Sequence, residues 1–342
     1  MKIVIGFITY NDSTAKYLPF FLPSLKVALA TTFGDYEIGK HYRILAIDNS
    51  DHEVNGNSDY LKNNFPEIDL TWAGSNLGFA QAYNLMIRRA SELGAEYFLM
   101  LNPDTVLTPD SIGKLIKALD NNPSLGAVAP RILKWDFANK IQTKIIDSDG
   151  LFITSSHRFS DRHQGRELFS SEPEIVFGFT GAAALIRMAA LNEVAYNGEY
   201  LDELMFMYKE DVDLSYRLTL ANWPIKFIPA AIIYHDRTAS PLGEGWGQII
   251  HNRKNKSRAV KRWSFLNHWI LILKYSHLNY SFQVKWRTWR YQFLGLFFAL
   301  FFEPYLIKEL ITLRKIWKEI RAKRQVLKVI VNPSIIEKMM DK

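Results

Sequence analysis

Short apolar runs alternate with helix-like segments through most of this chain, and that alternation limits the folds it can adopt. Five short runs are predicted strands: Ile3–Thr9, Arg43–Ile47, Asp69–Trp72, Tyr97–Leu101 and Leu125–Ala129, of which the first is rich in β-branched residues. Three segments between them are predicted helices: Tyr17–Thr31, Gln81–Leu93 and Ser111–Leu119. The alternation predicts an α/β fold, Rossmann-like, with a mostly parallel sheet and helices on both faces.

Polar clusters follow four of the predicted strands. They are Thr9–Asn11, Asp48–Asp51, Gly74–Gly78 and Asn102–Asp104. Because ligands of open α/β sheets bind beyond the carboxyl ends of the strands, these four clusters are predicted to form one site.

The remainder of the chain divides at a Gly-rich stretch. We expect a hairpin or a mobile loop over the site at Ile141–Glu174, a strand at Val176–Arg187, a helix at Leu214–Ala221 and a strand at Ile225–Tyr234. Pro241–Gly247 is the predicted hinge, and the chain beyond Ile249 reads as helical. These features predict a catalytic domain over residues 1–247 and a C-terminal helical extension over residues 248–342.

Charge is distributed unevenly along the chain. Residues 1–250 hold 22 Lys and Arg against 30 Asp and Glu, whereas residues 251–342 hold 20 against 5. The basic part is also rich in Trp, Tyr and Phe, which suits the headgroup region of an anionic membrane. The alternatives are a buried core or a homodimer interface. The acidic first part argues against nucleic acid as a partner.

Cysteine is absent from the sequence. This excludes a disulfide scaffold, thiolate metal sites and a cysteine nucleophile, and it favours a reducing compartment. The first apolar run is too short for a signal peptide, and no stretch reaches the ~18–20 apolar residues that span a bilayer. We therefore expect a cytoplasmic protein that is peripheral on the inner face of the cell membrane.

Two acidic motifs are candidates for chemistry. Asp104 ends the Asn102-Pro103-Asp104 turn and has the oxygen ligands that Mg²⁺ or Mn²⁺ prefers, although the same three residues also form ordinary turns. Glu210-Asp211-Val212-Asp213 begins a predicted helix, where clustered acids suit a general base or simply stabilise a helix N-terminus. His235 follows a strand and is a metal ligand or phosphate contact only if the fold brings it to Asp104.

Gly78 precedes a predicted helix, where backbone N–H groups favour phosphate. The glycine pattern is neither G-x-G-x-x-G nor G-x-x-x-x-G-K-[ST]. A dinucleotide-dependent dehydrogenase and a P-loop NTPase are therefore disfavoured.

In its ordered motifs the chain resembles the family 2 inverting glycosyltransferases of the GT-A fold, closest to bacterial rhamnosyltransferase-like members. The matching blocks run from about Ile3 to Trp263. They are Ile8-Thr9-Tyr10-Asn11, Asp48-Asn49-Ser50, Asn76-Leu77-Gly78-Phe79-Ala80, Leu101-Asn102-Pro103-Asp104, Phe179-Thr180-Gly181-Ala182-Ala183, Phe206 to Leu214, and His235. Two segments depart from the family pattern: Gln81-Ala82 and Tyr200-Leu201-Asp202-Glu203.

The resemblance implies a role for each matching position. The implied nucleotide-binding residues are Thr9, Tyr10, Asn11, Asp48, Asn76, Gly78, Asn102, Lys254 and Asn255. Asp104 is the implied metal ligand, since Asn102 replaces the first acid of the family's D-x-D element, and His235 is a second. Asp211 takes the position of the catalytic base with Glu210 beside it. Thr180, Gly181 and Asp213 are assigned to the acceptor site.

The implied activity is metal-dependent, inverting sugar transfer from a dTDP or UDP sugar, with Mg²⁺ or Mn²⁺ as cofactor. L-Rhamnose from dTDP-rhamnose is the first candidate donor, and UDP-hexose or UDP-galactofuranose is the alternative. The acceptor is a lipid-linked or polysaccharide hydroxyl in cell-surface glycan synthesis. A nucleotidyltransferase is disfavoured because Thr9–Ser13 lacks a Gly-rich basic loop; a non-catalytic glycan-binding protein is the other alternative.

Overall fold

A computed structural model of the protein describes residues 1–34, 39–237 and 257–341. The predicted hinge at Pro241–Gly247, the predicted domain boundary after residue 247, and the predicted nucleotide contacts Lys254 and Asn255 lie outside the described residues.

Thirteen strands occur in the described residues. They are β1 (Ile3–Thr9), β2 (Tyr42–Asp48), β3 (Asp69–Trp72), β4 (Tyr97–Leu101), β5 (Thr105–Leu107), β6 (Ala127–Asp136), β7 (Ile141–Ser148), β8 (Leu151–Thr154), β9 (Phe159–Asp161), β10 (Glu174–Val176), β11 (Ala183–Arg187), β12 (Ile225–His235) and β13 (Met340–Asp341).

Twelve α-helices occur in the same described ranges, with one 3₁₀ turn at Pro304–Ile307. They are α1 (Asn11–Ala15), α2 (Leu18–Phe33), α3 (Gly56–Asn64), α4 (Gly78–Glu92), α5 (Ser111–Asp120), α6 (Met188–Val194), α7 (Glu210–Leu220), α8 (Arg258–Tyr275), α9 (Phe282–Phe302), α10 (Lys308–Lys315), α11 (Trp317–Gln325) and α12 (Ser334–Met339).

Ten strands form one sheet, whose main path has the order β10-β12-β6-β11-β4-β1-β2-β3. The four strands from β4 to β3 are all parallel, as is the β12–β6 pair. β11 runs antiparallel between β4 and β6, and β5 and β7 add antiparallel pairs at β12 and β6. The predicted α/β fold with a mostly parallel sheet is therefore confirmed.

The alternating side chains of the central strands explain why helices cover both faces. Ile5 and Phe7 of β1 point into a core that α2 and α5 complete. Val4 of the same strand points into a second core formed with α4 and α7. Because a parallel strand is buried on both faces, each of these strands reads as a continuous apolar run.

Some predicted elements differ from the structure. Ile141–Glu174 forms the strands β7, β8 and β9, which matches the hairpin interpretation rather than the mobile loop. The strand predicted over Val176–Arg187 is divided, because residues 177–182 form a loop between β10 and β11. Gly178 in this loop packs against Ser215 so closely that a Cβ atom would collide with its side chain. The elements α3, α6 and β5 had no clear sequence pattern.

The C-terminal helices pack on the sheet domain through a third apolar core. This core joins Phe177 and Tyr216 of the sheet domain to Ile270 and Tyr275 of α8. β13 also pairs in parallel with β8, and β8 pairs with β9. In residues 1–34, 39–237 and 257–341, no helix is both long and apolar enough to cross a bilayer.

Candidate active site

The ends of β1 and β2 are tied together by a buried carboxylate. Asp48 lies opposite Thr9 in the parallel register, and both side chains are completely buried. Asp48 Oδ1 accepts hydrogen bonds from Thr9 Oγ1 at 3.0 Å and from Ser50, and Asp48 Oδ2 accepts from Asn55 Nδ2 at 2.7 Å. In this structure Asp48 therefore organises the strand ends and has no exposed surface.

The loop before α4 is built on Gly78. Its φ is +75°, and a Cβ atom there would collide with the carbonyl oxygen of Phe206. Asn76 Oδ1 accepts from Gly78 N at 2.9 Å, and Asn49 Nδ2 donates to Gly78 O at 3.0 Å. The position therefore requires glycine, and the asparagines hold the turn that opens α4.

Four of the predicted nucleotide-binding residues keep exposed surface beside these buried ones. Tyr10 and Asn76 are exposed, and Asn11 and Asn102 are half-buried. Asn11 has a φ of 42° and exchanges hydrogen bonds with Asp51, its Nδ2 donating to Asp51 Oδ2 and its Oδ1 accepting from Asp51 N. The predicted cluster thus divides into a buried framework and an open rim.

Asp104 and His235 lie together, although 131 positions separate them in the sequence. β12 pairs with β5, and His235 lies opposite Thr105, directly after Asp104. His235 Nε2 is 3.3 Å from Asp104 Oδ1, and His235 Nδ1 is 2.9 Å from Asp147 Oδ2. Burial acts to lower the pKa of His235, but the carboxylates of Asp104 and Asp147 raise it to about 10.

The donor set at Asp104 fits a divalent cation. Asp104 Oδ1 is buried, and apart from its ion pair with His235 Nε2 it has no hydrogen-bond partner. Asp147 orients His235 through Nδ1, as carboxylates commonly do for metal-ligating histidines. His235 would have to release its Nε2 proton to coordinate. The described part of the chain contains no group of three or more acidic or histidine side chains suited to a metal. A cation here would take its remaining ligands from water or from substrate oxygens.

A chain of ion pairs leads from this histidine through Asp147 and Arg237 to Asp161. Arg237 Nη1 donates to Asp161 Oδ2 at 2.6 Å and lies 3.4 Å from Asp147 Oδ1. Burial acts to lower the pKa of Arg237, but Asp161, Asp147 and Asp211 together raise it. His235 and Arg237 therefore share the carboxylate of Asp147, and the charge of Asp211 acts on Arg237 without a direct ion pair.

Asp211 lies in the first turn of α7. Its Oδ2 accepts from Gly181 N at 2.9 Å, and its Oδ1 accepts from Val212 N at 2.8 Å. Burial raises the pKa of Asp211 above its usual value despite these hydrogen bonds. A carboxylate whose pKa is raised toward neutrality is a better proton acceptor at physiological pH.

Glu210 is buried beside Asp211, and its Oε2 has no hydrogen-bond partner. Burial raises the pKa of Glu210 well above its usual value, and the nearby charge of Asp211 adds to this. The two acids thus have different environments, with Asp211 hydrogen-bonded to backbone and Glu210 enclosed.

The turn that presents these acids is supported by α8. Tyr208 and Lys209 have φ values of 74° and 73°, which is uncommon for residues other than glycine. Asn267 Nδ2 donates to Met207 O at 2.8 Å and to Tyr208 O at 2.7 Å. Asn267 is almost fully buried, so its amide holds this turn from behind.

Asp213, predicted to bind an acceptor, is completely buried. Its carboxylate pairs with Arg217 and Lys274 and accepts from Tyr275 OH at 2.8 Å. This geometry is that of a structural ion pair, and we do not include Asp213 in the proposed acceptor site. Thr180 and Gly181 are also buried, but Gly181 contacts Asp211 directly.

Several residues of the site have no sequence signal of their own. They are Asp147, Asp161, Arg237 and Asn267. Asp147 lies within the predicted hairpin or loop at Ile141–Glu174, and Arg237 follows His235 by two positions, yet neither forms a motif. Only their pairing across distant segments gives them a role.

Comparison with known proteins gives the family. The family model described as "Glycosyl transferase family 2" matches residues 4–195. The N-acetylglucosaminyl-diphospho-decaprenol L-rhamnosyltransferase of Mycobacterium tuberculosis is 25% identical over 256 residues, which cover 70% of this chain and 78% of that protein.

Two solved structures resemble the fold. Staphylococcus aureus TarS 1-349 superposes with a TM-score of 0.51 at 12% identity, covering 99% of this chain and 83% of that one. GalNAc-T7 with UDP, GalNAc and Mn²⁺ superposes with a TM-score of 0.51 at 13% identity, covering 69% of this chain and 44% of that one. At such low identity these likenesses concern the fold alone.

Proposed function

The chain belongs to glycosyl transferase family 2, and we propose that it transfers L-rhamnose from dTDP-rhamnose to a hydroxyl group of a lipid-linked or polysaccharide acceptor. It is a glycosyltransferase with a GT-A fold. The mycobacterial relative, whose name specifies a rhamnosyl donor and a lipid-linked N-acetylglucosaminyl acceptor, supports this choice. A UDP-hexose or UDP-galactofuranose is the alternative donor. The cytoplasmic location and a homodimer stay predictions.

The observation that carries the proposal is the placement of Asp211. It lies in the first turn of α7 with its carboxylate held by the backbone N–H of Gly181, and its pKa is raised by burial. In the proposed reaction Asp211 removes the proton from the acceptor hydroxyl as that oxygen attacks the anomeric carbon. A single displacement on the face opposite the leaving diphosphate inverts the anomeric centre, and no covalent intermediate is needed.

The other proposed roles follow from the exposed and buried halves of the site. Tyr10, Asn11, Asn76 and Asn102 form the rim that would contact the nucleotide, with Thr9, Asp48 and Gly78 beneath it. Asp104 and His235 would hold Mg²⁺ or Mn²⁺, and such an ion neutralises charge on the diphosphate. Thr180 and Gly181 would lie beside the acceptor hydroxyl. Glu210 would lie next to the base, with its own pKa raised by burial and by the charge of Asp211.

Replacing Asp211 by Asn tests the proposal. We expect Asp211→Asn to lower transfer by about 10³-fold or more, because the amide cannot accept the proton. Donor binding by isothermal titration should stay within a few-fold. The matched control is Asp59→Asn on the exposed surface of α3, which should leave both quantities unchanged.

A donor panel with added Mg²⁺ or Mn²⁺, read by release of dTDP or UDP, separates the donor candidates. Loss of donor binding in Asp211→Asn would contradict the role of general base. Release of neither nucleotide with any donor would contradict the choice of donors.

In the wild type, kcat/KM should fall as pH decreases through the raised pKa of Asp211, because only the ionised carboxylate accepts a proton.

A further inference from the structure

Helix α9 (Phe282–Phe302) leaves most of its large apolar side chains exposed. Only four of its side chains are buried, and two of them are polar: Val284, Thr288, Gln292 and Ala299. Its exposed large side chains are Phe282, Trp286, Trp289, Tyr291, Phe293, Leu294, Phe297, Leu300, Phe301 and Phe302. A surface helix normally buries such residues, so this face is suited to a further apolar partner.

The exposed charges between residues 281 and 318 have one sign, whereas Glu319 on α11 and Glu337, which accepts from Ser281 N, lie outside this stretch. Between residues 281 and 318 the acids are Glu303 and Glu309, and both are buried in ion pairs with Lys261 and Arg262. Seven cations of the same stretch are exposed: Lys285, Arg287, Arg290, Lys308, Arg314, Lys315 and Lys318. Within the described residues, the exposed surface of this stretch therefore combines aromatic rings with uncompensated positive charge.

We propose that α9 seats the protein on an anionic lipid bilayer. The cations and both tryptophans occupy the first half of the helix, and the second half, Phe293–Phe302, holds no charge. Ten helical residues extend about 15 Å, roughly half the hydrocarbon thickness of a bilayer. The second half can therefore enter one leaflet while Lys285, Arg287 and Arg290 remain at the headgroups.

A second copy of the chain fits this face less well. A two-fold interface brings the same surface against itself, so the exposed cations of one copy would face those of the other. With no exposed acid in the stretch to pair with them, that contact would be repulsive. An anionic bilayer supplies the opposite charge together with the apolar phase.

Binding of α9 to a bilayer would also determine how far the candidate active site lies from the membrane. This part of the inference rests on the proposed function. α9 packs on the β8–β9 hairpin: Thr288 Oγ1 lies 2.7 Å from His157 Nδ1, and Arg287 Nη1 donates to Ser155 Oγ at 3.0 Å. β9 ends at Asp161, which pairs with Arg237 of the site. A bilayer under α9 would place the site close to the headgroups, where the sugar end of a lipid-linked acceptor is found.

Vesicle flotation of the full chain tests the seat. We expect binding to vesicles of phosphatidylcholine with phosphatidylglycerol, weaker binding to phosphatidylcholine alone, and a decrease with salt. The triple variant Phe293→Gln, Phe297→Gln, Phe301→Gln should bind roughly tenfold or more weakly, because three exposed rings of one face are removed. The double variant Lys285→Gln, Arg290→Gln should lose a similar amount, on anionic vesicles only.

The matched control replaces three exposed apolar residues away from α9: Val27→Gln, Ile141→Gln, Ile175→Gln. It should bind vesicles as the wild type does. Equal flotation of the wild type and the triple variant would overturn the proposal. So would light scattering that shows a lipid-free dimer of the wild type and a monomer of the triple variant, since the occupant would then be a second copy.

A transfer assay with a water-soluble acceptor separates this inference from the proposed function. The triple variant should retain wild-type transfer to such an acceptor, because none of its three residues contacts the site. Failed vesicle binding with normal transfer would overturn the membrane seat alone. Failed transfer with normal vesicle binding would overturn the proposed function alone.

Discussion

Helices α8 and α9 follow one another in the chain and are both basic and aromatic, yet they use these residues in opposite ways. α8 buries the polar residues Asn267 and Lys274 against the sheet domain. α9 buries a narrow stripe and leaves its rings exposed. Two helices of similar composition can therefore bury different side chains, because the charges of the neighbouring elements decide which side chains are enclosed.

The neighbours of the two helices explain the difference. Lys274 Nζ donates to Asp202 Oδ2 at 2.7 Å and pairs with Asp213, so a buried cation is matched by two buried carboxylates. On α9, Thr288 contacts His157. Among the described residues, no ion pair joins Lys285 or Arg290 to an acid of the sheet domain. Buried charge is stable only where counter-charges are already in place.

The largest effect should come from Lys274→Met in α8. The substitution removes a cation from between Asp202 and Asp213, which keep Lys323 and Arg217 as cationic partners, and we expect a loss of about 3 kcal/mol in the free energy of unfolding. Lys285→Met in α9 is the matched control and should change it by less than about 0.5 kcal/mol. Urea unfolding measures both, and similar losses at the two positions would remove the distinction between the helices.

Asn267→Leu should have the next largest effect, and it should appear in catalysis. Without the amide, the carbonyls of Met207 and Tyr208 lose their donor and the turn before Asp211 is no longer held. We expect kcat to fall roughly 30-fold, equivalent to about 2 kcal/mol, with donor KM nearly unchanged. Asn122→Leu, which removes an amide donating to Ala118 O on α5, is the control. If the two variants have the same kcat, the positioning role is wrong.

A smaller effect on stability should come from His157, which contacts Thr288 on the buried side of α9. Burial lowers the pKa of His157 to about 4. As pH falls, His157 is therefore protonated in the unfolded chain before it is protonated in the folded protein. The free energy of unfolding decreases between about pH 6.5 and pH 4. At pH 5 the loss from His157 reaches about 2 kcal/mol relative to pH 7 or above. His157→Gln should flatten that part of the pH dependence of unfolding; an unchanged slope would show that the imidazole stays accessible to solvent protons.

The smallest effect should come from the exposed face of α9. Trp286→Gln removes a large ring that is 61% exposed, so the free energy of unfolding without lipid should change by about 0.5 kcal/mol or less. A thermal melt checks this. A loss of several kcal/mol would mean that the ring is covered within the protein, and the comparison with α8 would no longer hold.

The sequence was sufficient for the parts of the fold that depend on local pattern. The strands β1, β3 and β4 have the predicted bounds, and the polar clusters after the first two runs meet at one edge because parallel strands share it. Asp104 and His235 also come together as the conditional prediction required. These successes come from periodicity and from the direction of parallel strands.

Long-range pairing set the limit on prediction. Asp147 and His235 are 88 positions apart, and Asn267 is 59 positions from Tyr208. The sequence around one partner does not indicate the other, since each hydrogen bond forms only after the sheet and α8 have assembled. The acid cluster at α7 shows the same limit: its pattern could not distinguish Asp211, which faces Gly181, from Asp213, which is enclosed by Lys274.

The contact between Gly78 and Phe206 has a mechanical consequence. Phe79 N donates to Phe206 O at 2.7 Å, so the backbone that opens α4 rests on the backbone that leads into α7. Main chain against main chain leaves no side-chain rotamer to absorb a displacement. The backbone on the proposed nucleotide side and the backbone that leads to Asp211 are therefore in direct contact, and we expect a displacement of one to be passed on to the other.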